Sequence, residues 1–477
     1  MALTSSAAQY TSSRKWLLIL LAIVFLSRLL FALIAWKING SEVFISPDTA
    51  SYLTPAGSLL HGQFLSNGAF VLRDTPEIFR TPGYPLLLMP AVASRRPVLL
   101  AILENLLLAV LSAWLIWRIT NELVPGSGAA KWAVLLYCFE PVGFLHSERI
   151  LSETLFTTLL LVFIWLFLKA LHKPGNLPLL FSALALGCAT YVRPVSLYLG
   201  LWLVPVLLLW PGALSWRKRL ARATIFPIIL ALTVLPWSLR NSYVAGYRGF
   251  STSADWNLYF LSAAALESKL EHRSRAQLSG EWVYESAEQY HRAHPEMRTW
   301  SDAQIAQFWG LEAKRIIKAH PLMYAGIHAR GCAIVVFSPG VSELLRDAGL
   351  YPKLDSPITR QLEFGWLHTV VWLAKEYPIA AIFFPLLLVQ LLLYYLLALA
   401  GLRRLTSASA ALFCALFIYF VLVSGFPAAV SRYRAPVMPV VCICAGVGLA
   451  FRKEGLLPHW PWRTKGFTRR DALGRNA

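Results

Sequence analysis

The feature that most constrains this chain is its succession of long apolar runs. From Trp16 to Trp36, twenty-one residues carry a single charge, Arg28. At about 1.5 Å of rise per residue such a run covers roughly 31 Å, the thickness of a bilayer's hydrocarbon core. No water reaches backbone N–H and C=O groups in that layer, so the run has to be helical. It is too long for a signal-peptide core, and no small-residue cleavage site follows, so it reads as a retained span. Further runs read as Pro97–Trp117, Ala130–His146, Ile150–Leu171, Leu177–Val192, Pro194–Trp210, Thr224–Leu239, Ile379–Leu402, Ala408–Phe426 and Ala435–Phe451. The expected fold class is therefore all-α: a polytopic integral membrane protein of about ten transmembrane helices. Arg193 and Pro194 form the only hinge between the fifth and sixth runs.

Composition agrees. Only 14% of the residues are charged, against 57% hydrophobic, too few charges to cover a soluble surface of this size. The formal charge of +19 does not signal nucleic acid, because the basic residues gather at the ends of apolar runs. Arg14 and Lys15, Arg118, Lys169 and Lys173, the cluster Arg217, Lys218, Arg219 and Arg222, Arg403 and Arg404, and the tail after Phe451 all fall on one side of a ten-span arrangement. Positive charge marks the cytoplasmic side, so both termini are expected inside a plasma (inner) membrane. The six cysteines show no C-x-x-C spacing and read as small apolar residues.

Two large segments then lie outside: Lys37 to Arg96 and Arg240 to about Pro378. The second is helix-forming from Leu266 to His320, and Met323 to Phe337 reads as a re-entrant or interfacial helix. An added span there would need another near Trp366–Lys375, and neither stretch is long enough. The expected organisation is residues 1–241 as one transmembrane module with its first outer loop at 37–96. Residues 242–378 form an outer and interfacial segment, and residues 379–477 hold the last spans and a basic tail.

The motif-like polar residues concentrate on the outer side. In Ser46-Pro47-Asp48-Thr49, Ser46 suits an N-cap, Pro47 the first helical position and Asp48 the first turn. Asp48, Ser51 and Tyr52 would share one helix face. Asp48 either complements the helix dipole or is a functional carboxylate. Arg80 precedes Thr-Pro-Gly-Tyr-Pro, where prolines turn the chain back into the membrane and the arginine serves as an anchor or a ligand group. Glu153 falls about one turn inside a span, where a carboxylate needs a partner. Glu148 reads as paired with Arg149, and Glu104 as a partner for Arg28. Arg193, Arg240, Arg432 and Arg434 all lie at outer ends of spans. One such arginine is explained as a snorkelling anchor; several beside acidic residues suggest an anionic ligand, and a lipid phosphate fits best.

In this order the motifs resemble the GT-C superfamily of membrane glycosyltransferases that use polyprenyl-phosphate sugars. They are Asp48, Arg80-Thr-Pro-Gly-Tyr84-Pro, Ser152-Glu153-Thr-Leu-Phe, Arg193-Pro194, Pro236-Trp-x-x-Arg240-Asn241 and Arg432-Tyr-Arg434-x-Pro. The likeness is to the bacterial relatives of protein O-mannosyltransferases and aminoarabinose transferases, and covers roughly Trp16 to Asn241 and the last two spans. It implies that Asp48 is the catalytic acid/base of the first loop, with Glu153 supporting the site. It also implies that Arg80, with Tyr84 of the same motif and Arg193, Arg240, Arg432 and Arg434, faces the donor phosphate. The activity so implied is inverting transfer of a hexosyl or pentosyl group to an extracytoplasmic acceptor: a glycolipid, an envelope glycan or a protein. Nucleic acid is not among the partners implied. The resemblance leaves a divalent cation open as a cofactor, and a single loop Asp without clustered partners argues only weakly against a dedicated metal site. Two features depart from the family: Thr49 stands where many relatives carry a second carboxylate, and Ser242–Lys375 matches no known pattern. Two alternatives stand beside this one. A transporter or lipid flippase would use Glu104, Glu140 and Arg28 at mid-membrane. An O-antigen-type ligase or polymerase would use a large outer loop rich in Arg and His, as Ser242–Lys375 partly is.

Overall fold

The computed structural model describes residues 2–66, 75–172, 175–209, 214–272, 292, 294–351 and 366–451. Lys173, Trp210 and the basic tail beyond Phe451 lie outside the described residues. The chain is an α-helical, multi-pass membrane protein. Seven described helices are long and apolar enough to cross a bilayer: Arg14–Asn39, Pro97–Leu123, Glu153–His172, Trp216–Ala245, Pro378–Leu402, Ser407–Ser424 and Ser431–Ala450. An eighth candidate is the pair Pro321–Phe337 and Val341–Asp347, bent by 52°. The bend falls at Ser338-Pro339-Gly340, where Gly340 takes a left-handed φ of 71° that favours glycine.

The remaining expected runs form shorter helices, and their breaks have causes. Ala130–His146 is two helices, Ala129–Cys138 and Pro141–His146. Pro141 lacks an N–H and starts the second, and the Glu140 carboxylate accepts from Val142 N at 3.2 Å and Gly143 N at 2.5 Å as its N-cap. Leu177–Val192 has 16 residues, and the run after it is broken into short turns after Arg193-Pro194.

Met438–Ala450 lies at the centre and is buried at every position up to Gly448. Small residues let its neighbours close in: a Cβ on Gly446 would stand 2.6 Å from Ala133 N, and Gly448 and Gly401 sit tighter still against the Leu397 and Cys444 carbonyls. The apolar core runs from Leu20 to Val447 through nearly every span. Two smaller clusters, an aromatic one around Phe260 and Trp309 and an aliphatic one around Leu266 and Ile316, hold the segment after Ala245 together. The loop between the first two spans contains the helix Ala50–Leu59, a two-residue antiparallel strand pair (Leu65–Ser66 with Thr75–Pro76) and the helix Gly83–Ala93.

Two pairings expected from sequence do not form. Arg28 is fully buried, donates from Nε to Ser147 Oγ at 3.0 Å and lies over the Tyr137 and Phe144 rings. The turn after Pro141–His146 thus reaches it in place of Glu104. Arg149 pairs not with its neighbour Glu148 but with Asp347, at 2.8 and 3.0 Å, because the bent helix pair folds back across it.

Candidate active site

The stretch Ser147–Ser152 is non-helical, and it joins the two carboxylates singled out from sequence. Thr49 Oγ1 donates to the Ile150 carbonyl at 3.1 Å, and Ile150 N donates to the Phe44 carbonyl. Thr49 also accepts from Ser46 N at 2.9 Å, so the helix begins at Ala50 and Asp48 stands in the turn before it rather than in its first turn. The loop bearing Asp48 is thereby fixed against the turn that leads into Glu153. Tyr52 OH and Ser152 Oγ, 3.1 Å apart, form a second tie.

Arg80 meets the whole face formed by Asp48, Ser51 and Tyr52. Its Nη2 donates to Asp48 Oδ1 at 2.9 Å, Nε to Ser51 Oγ at 2.8 Å and Nη1 to Tyr52 OH at 3.1 Å. Glu77 holds the preceding backbone by accepting from the N–H groups of Phe79 and Arg80. Gly83 then packs so closely on the Tyr191 carbonyl that a Cβ would lie 2.7 Å from its oxygen, which keeps the Arg80 turn beside Arg193.

Arg432 arrives from the other end of the sequence, on the 3-10 turn Ser431–Val437 that leads into the central helix. Its Nη2 donates to Asp48 Oδ2 at 2.7 Å and its Nε to Glu153 Oε1. Arg193 Nη1 reaches the same Glu153 oxygen at 2.5 Å. Three guanidiniums and two carboxylates thus form one chain, Arg80–Asp48–Arg432–Glu153–Arg193, with one positive charge in excess. Glu153 is 2% exposed and Asp48 33% exposed, so the first is an internal strut and the second faces open space. Burial opposes the Asp48 charge, but Arg80 and Arg432 outweigh it and hold this carboxyl below the ordinary aspartate value.

Asp48, Arg80, Arg193 and Arg432 line a cavity of about 1080 Å³. One flank is apolar and belongs to membrane helices, with Phe420 and Val423; the other belongs to the segment after the helix Trp216–Ala245, with Trp256 and Trp309. The other residues singled out from sequence lie apart. Tyr84 is fully buried, with its hydroxyl 3.4 Å from Asn105 Nδ2 and its ring edge-on to Tyr52. Arg240 donates to the Glu77 and Phe64 carbonyls, tying the helix Trp216–Ala245 to the first loop. Arg434 is 1% exposed and donates to the carbonyls of Val335, Val336 and Ser338, closing the end of the helix Pro321–Phe337. These two arginines hold backbone in place. Sequence reasoning missed Thr49 and Ser152, whose partners are about a hundred residues away and leave no local signal. The described residues hold no group of three or more His, Cys, Asp or Glu side chains able to grip one ion, and the positive charge lining the cavity is guanidinium.

Residues 91–237 match the family model described as dolichyl-phosphate-mannose-protein mannosyltransferase. The match covers about a third of the chain. The matched segment contains Glu153 and Arg193; Asp48, Arg80 and Arg432 lie outside it. No curated protein matches the chain's sequence. Two solved structures align with it. The archaeal oligosaccharyltransferase AglB from Archaeoglobus fulgidus, in complex with an inhibitory peptide and a dolichol-phosphate, aligns over 92% of this chain and 51% of its own, at 13% identity and a TM-score of 0.49. The present chain therefore spans about half the length of AglB. ArnT from Cupriavidus metallidurans, bound to undecaprenyl phosphate, aligns over 90% of this chain and 78% of its own, at 13% identity and a TM-score of 0.34.

Proposed function

We propose that this protein is an inverting glycosyltransferase that moves a sugar from a polyprenyl-phosphate donor to a hydroxyl of an extracytoplasmic acceptor. One observation carries the reading. A partly exposed carboxylate, Asp48, stands between two guanidiniums on the wall of a cavity whose flank is made by membrane helices. A sugar phosphate on a lipid has the matching parts: an anion for the arginines, a tail for the apolar flank and an anomeric carbon between them. The matched family's description also names a dolichyl-phosphate sugar.

In the proposed step the acceptor oxygen attacks the anomeric carbon as the bond from that carbon to the phosphate oxygen breaks. The hydroxyl proton passes to Asp48, and the lipid phosphate leaves as an anion. It needs charge stabilisation more than a proton, and Arg80, Arg432 and Arg193 supply it. A phosphate that draws Arg80 and Arg432 towards itself removes the charges that depress Asp48, so donor binding makes Asp48 a stronger base. A single displacement inverts the anomeric configuration.

On this reading residues 1–241 supply the base and most of the phosphate site, residues 242–378 the acceptor side, and residues 379–477 return Arg432 to the centre. The cavity faces away from the basic cytoplasmic side of an inner membrane, with both termini inside. The test is Asp48→Asn with a polyprenyl-phosphate sugar and membrane glycans as acceptor. Transfer is expected to fall by about 10²–10⁴-fold while the protein stays folded. Near-parental transfer would remove Asp48 as the base. The transporter alternative finds little support, since Glu140 is an N-cap and Arg28 is bonded to the Ser147 turn.

A further inference from the structure

Away from the charged chain, the cavity has a wall of a different kind. From Arg80 a series of rings leads outward. The guanidinium lies 4.8 Å from the Phe79 centroid, and Phe79 is 6.3 Å from Trp256 at 85°. Trp256 is 5.3 Å from Phe260, and Phe260 is 5.0 Å from Trp309. Phe260 and Trp309 are 1% and 4% exposed and form the backing. Phe79 and Trp256 both line the cavity, and Trp256 is half-buried. A core aromatic would be covered on all sides, whereas these two present surface to the space in front of Asp48.

The side chains beside Trp256 along this wall include the uncharged Asn257, Leu258, Leu261, Ile305 and Ala306 and one acid, Asp302. The nearest acid to Ile305 in sequence, Asp302, accepts from Thr75 Oγ1 at 2.7 Å. At about 1080 Å³ the cavity is at the upper end of the range for ligand sites, so a donor head group need not fill it. If the donor phosphate takes the arginines, the wall beyond Phe79 is left for the other reactant.

We infer that the Phe79–Trp256 shelf is the acceptor subsite and that it takes an uncharged pyranose, so that the acceptor is a carbohydrate rather than a peptide. The inference rests on the glycosyl-transfer reading above. A pyranose has one face of C–H groups carrying partial positive charge, which the negative face of an indole attracts. Its edge of hydroxyls suits a neutral amide such as Asn257. Among the described residues, the arginines available to an anionic sugar here are those already bound to Asp48 and Glu153. Phe79 and Asp48 both contact Arg80, so the shelf adjoins the base.

The experiment uses the full chain in nanodiscs and saturation-transfer NMR. The neutral probes are the methyl glycosides of glucose, galactose and mannose. The charged probe is methyl glucuronide, and the peptide probe is an N-acetyl, C-amidated Ser-Thr dipeptide. Undecaprenyl phosphate is titrated separately. At least one neutral glycoside is expected to bind, and Trp256→Ala to weaken it about tenfold while undecaprenyl phosphate affinity stays within about twofold. Trp256→Phe retains most of the binding. Asn257→Ala gives a smaller loss and serves as a second probe of the shelf should Trp256→Ala not fold. The inference is overturned if no neutral glycoside binds, if the dipeptide or the glucuronide binds more tightly, or if Trp256→Ala weakens the lipid phosphate equally. Failure of the glycosyl-transfer reading shows differently: undecaprenyl phosphate would then not bind the parent protein at all.

Discussion

Among the described residues Arg432 alone forms salt bridges to both Asp48 and Glu153, and replacing it tests whether the charged chain acts as one unit. It donates through Nε to Glu153 and through Nη2 to Asp48 at 2.7 Å, with 20% of its side chain exposed. Lysine at this position presents one ammonium and can satisfy only one of the two carboxylates. A hydrogen bond to a charged group contributes about 1.5–3 kcal/mol, so Arg432→Lys is expected to lower kcat/KM by roughly 10- to 150-fold. Arg432→Gln removes the charge altogether. It leaves Glu153, which is 2% exposed, to its salt bridge with Arg193 and frees one Asp48 oxygen. A loss of about 10²–10³-fold is expected for removing an oxyanion-stabilising donor of this kind. The assay is transfer from a polyprenyl-phosphate sugar in nanodiscs, with thermal melts run in parallel. If the side chains act as a unit, adding Arg432→Gln to Asp48→Asn costs far less than the two separate losses multiplied. Arg432→Gln within about threefold of the parent at unchanged stability would refute the argument, since no donor of importance would then have been lost.

The same geometry carries two further expectations. Thr49→Val keeps the side-chain shape but removes the bond to the Ile150 carbonyl that registers the Asp48 turn against Glu153. A displacement of about 1 Å can cost up to 10²-fold, so kcat is expected to fall by about tenfold or more with donor KM little changed, and Thr49→Ser to restore most of it. Equal activity of the Val and Ser variants would show that the hydroxyl does not position the base. The pH dependence of the free enzyme reflects the depressed Asp48 value. The lowered carboxyl contributes stability that is fully present above its ordinary value of 3.8 and is lost as pH falls through its folded value below that. The acid limb of kcat/KM should therefore lie below pH 3.8. A limb at about pH 6 would mean that another group is the base.

Sequence alone determined the features that local physics sets. Apolar length dictates helices, because a backbone in hydrocarbon must satisfy its own hydrogen bonds. The run Trp16–Trp36 and most of the later spans were legible on that ground. The expectation that Asp48, Ser51 and Tyr52 share one face agrees with the outcome, since a single guanidinium meets all three although Asp48 precedes the helix. Other features depended on chain segments far apart in sequence. Glu140-Pro141 reads as part of one apolar run, yet a capped break divides it in two. Five arginines look alike at the outer ends of spans or just before one. Tertiary packing decided that Arg80, Arg193 and Arg432, which line the cavity, meet carboxylates while Arg240 and Arg434 meet backbone carbonyls. Arg432 and Asp48 are 384 positions apart, and Thr49 and Ile150 are 101 apart. No local pattern encodes such pairs, because what brings them together is the packing of small-residue helices around Met438–Ala450.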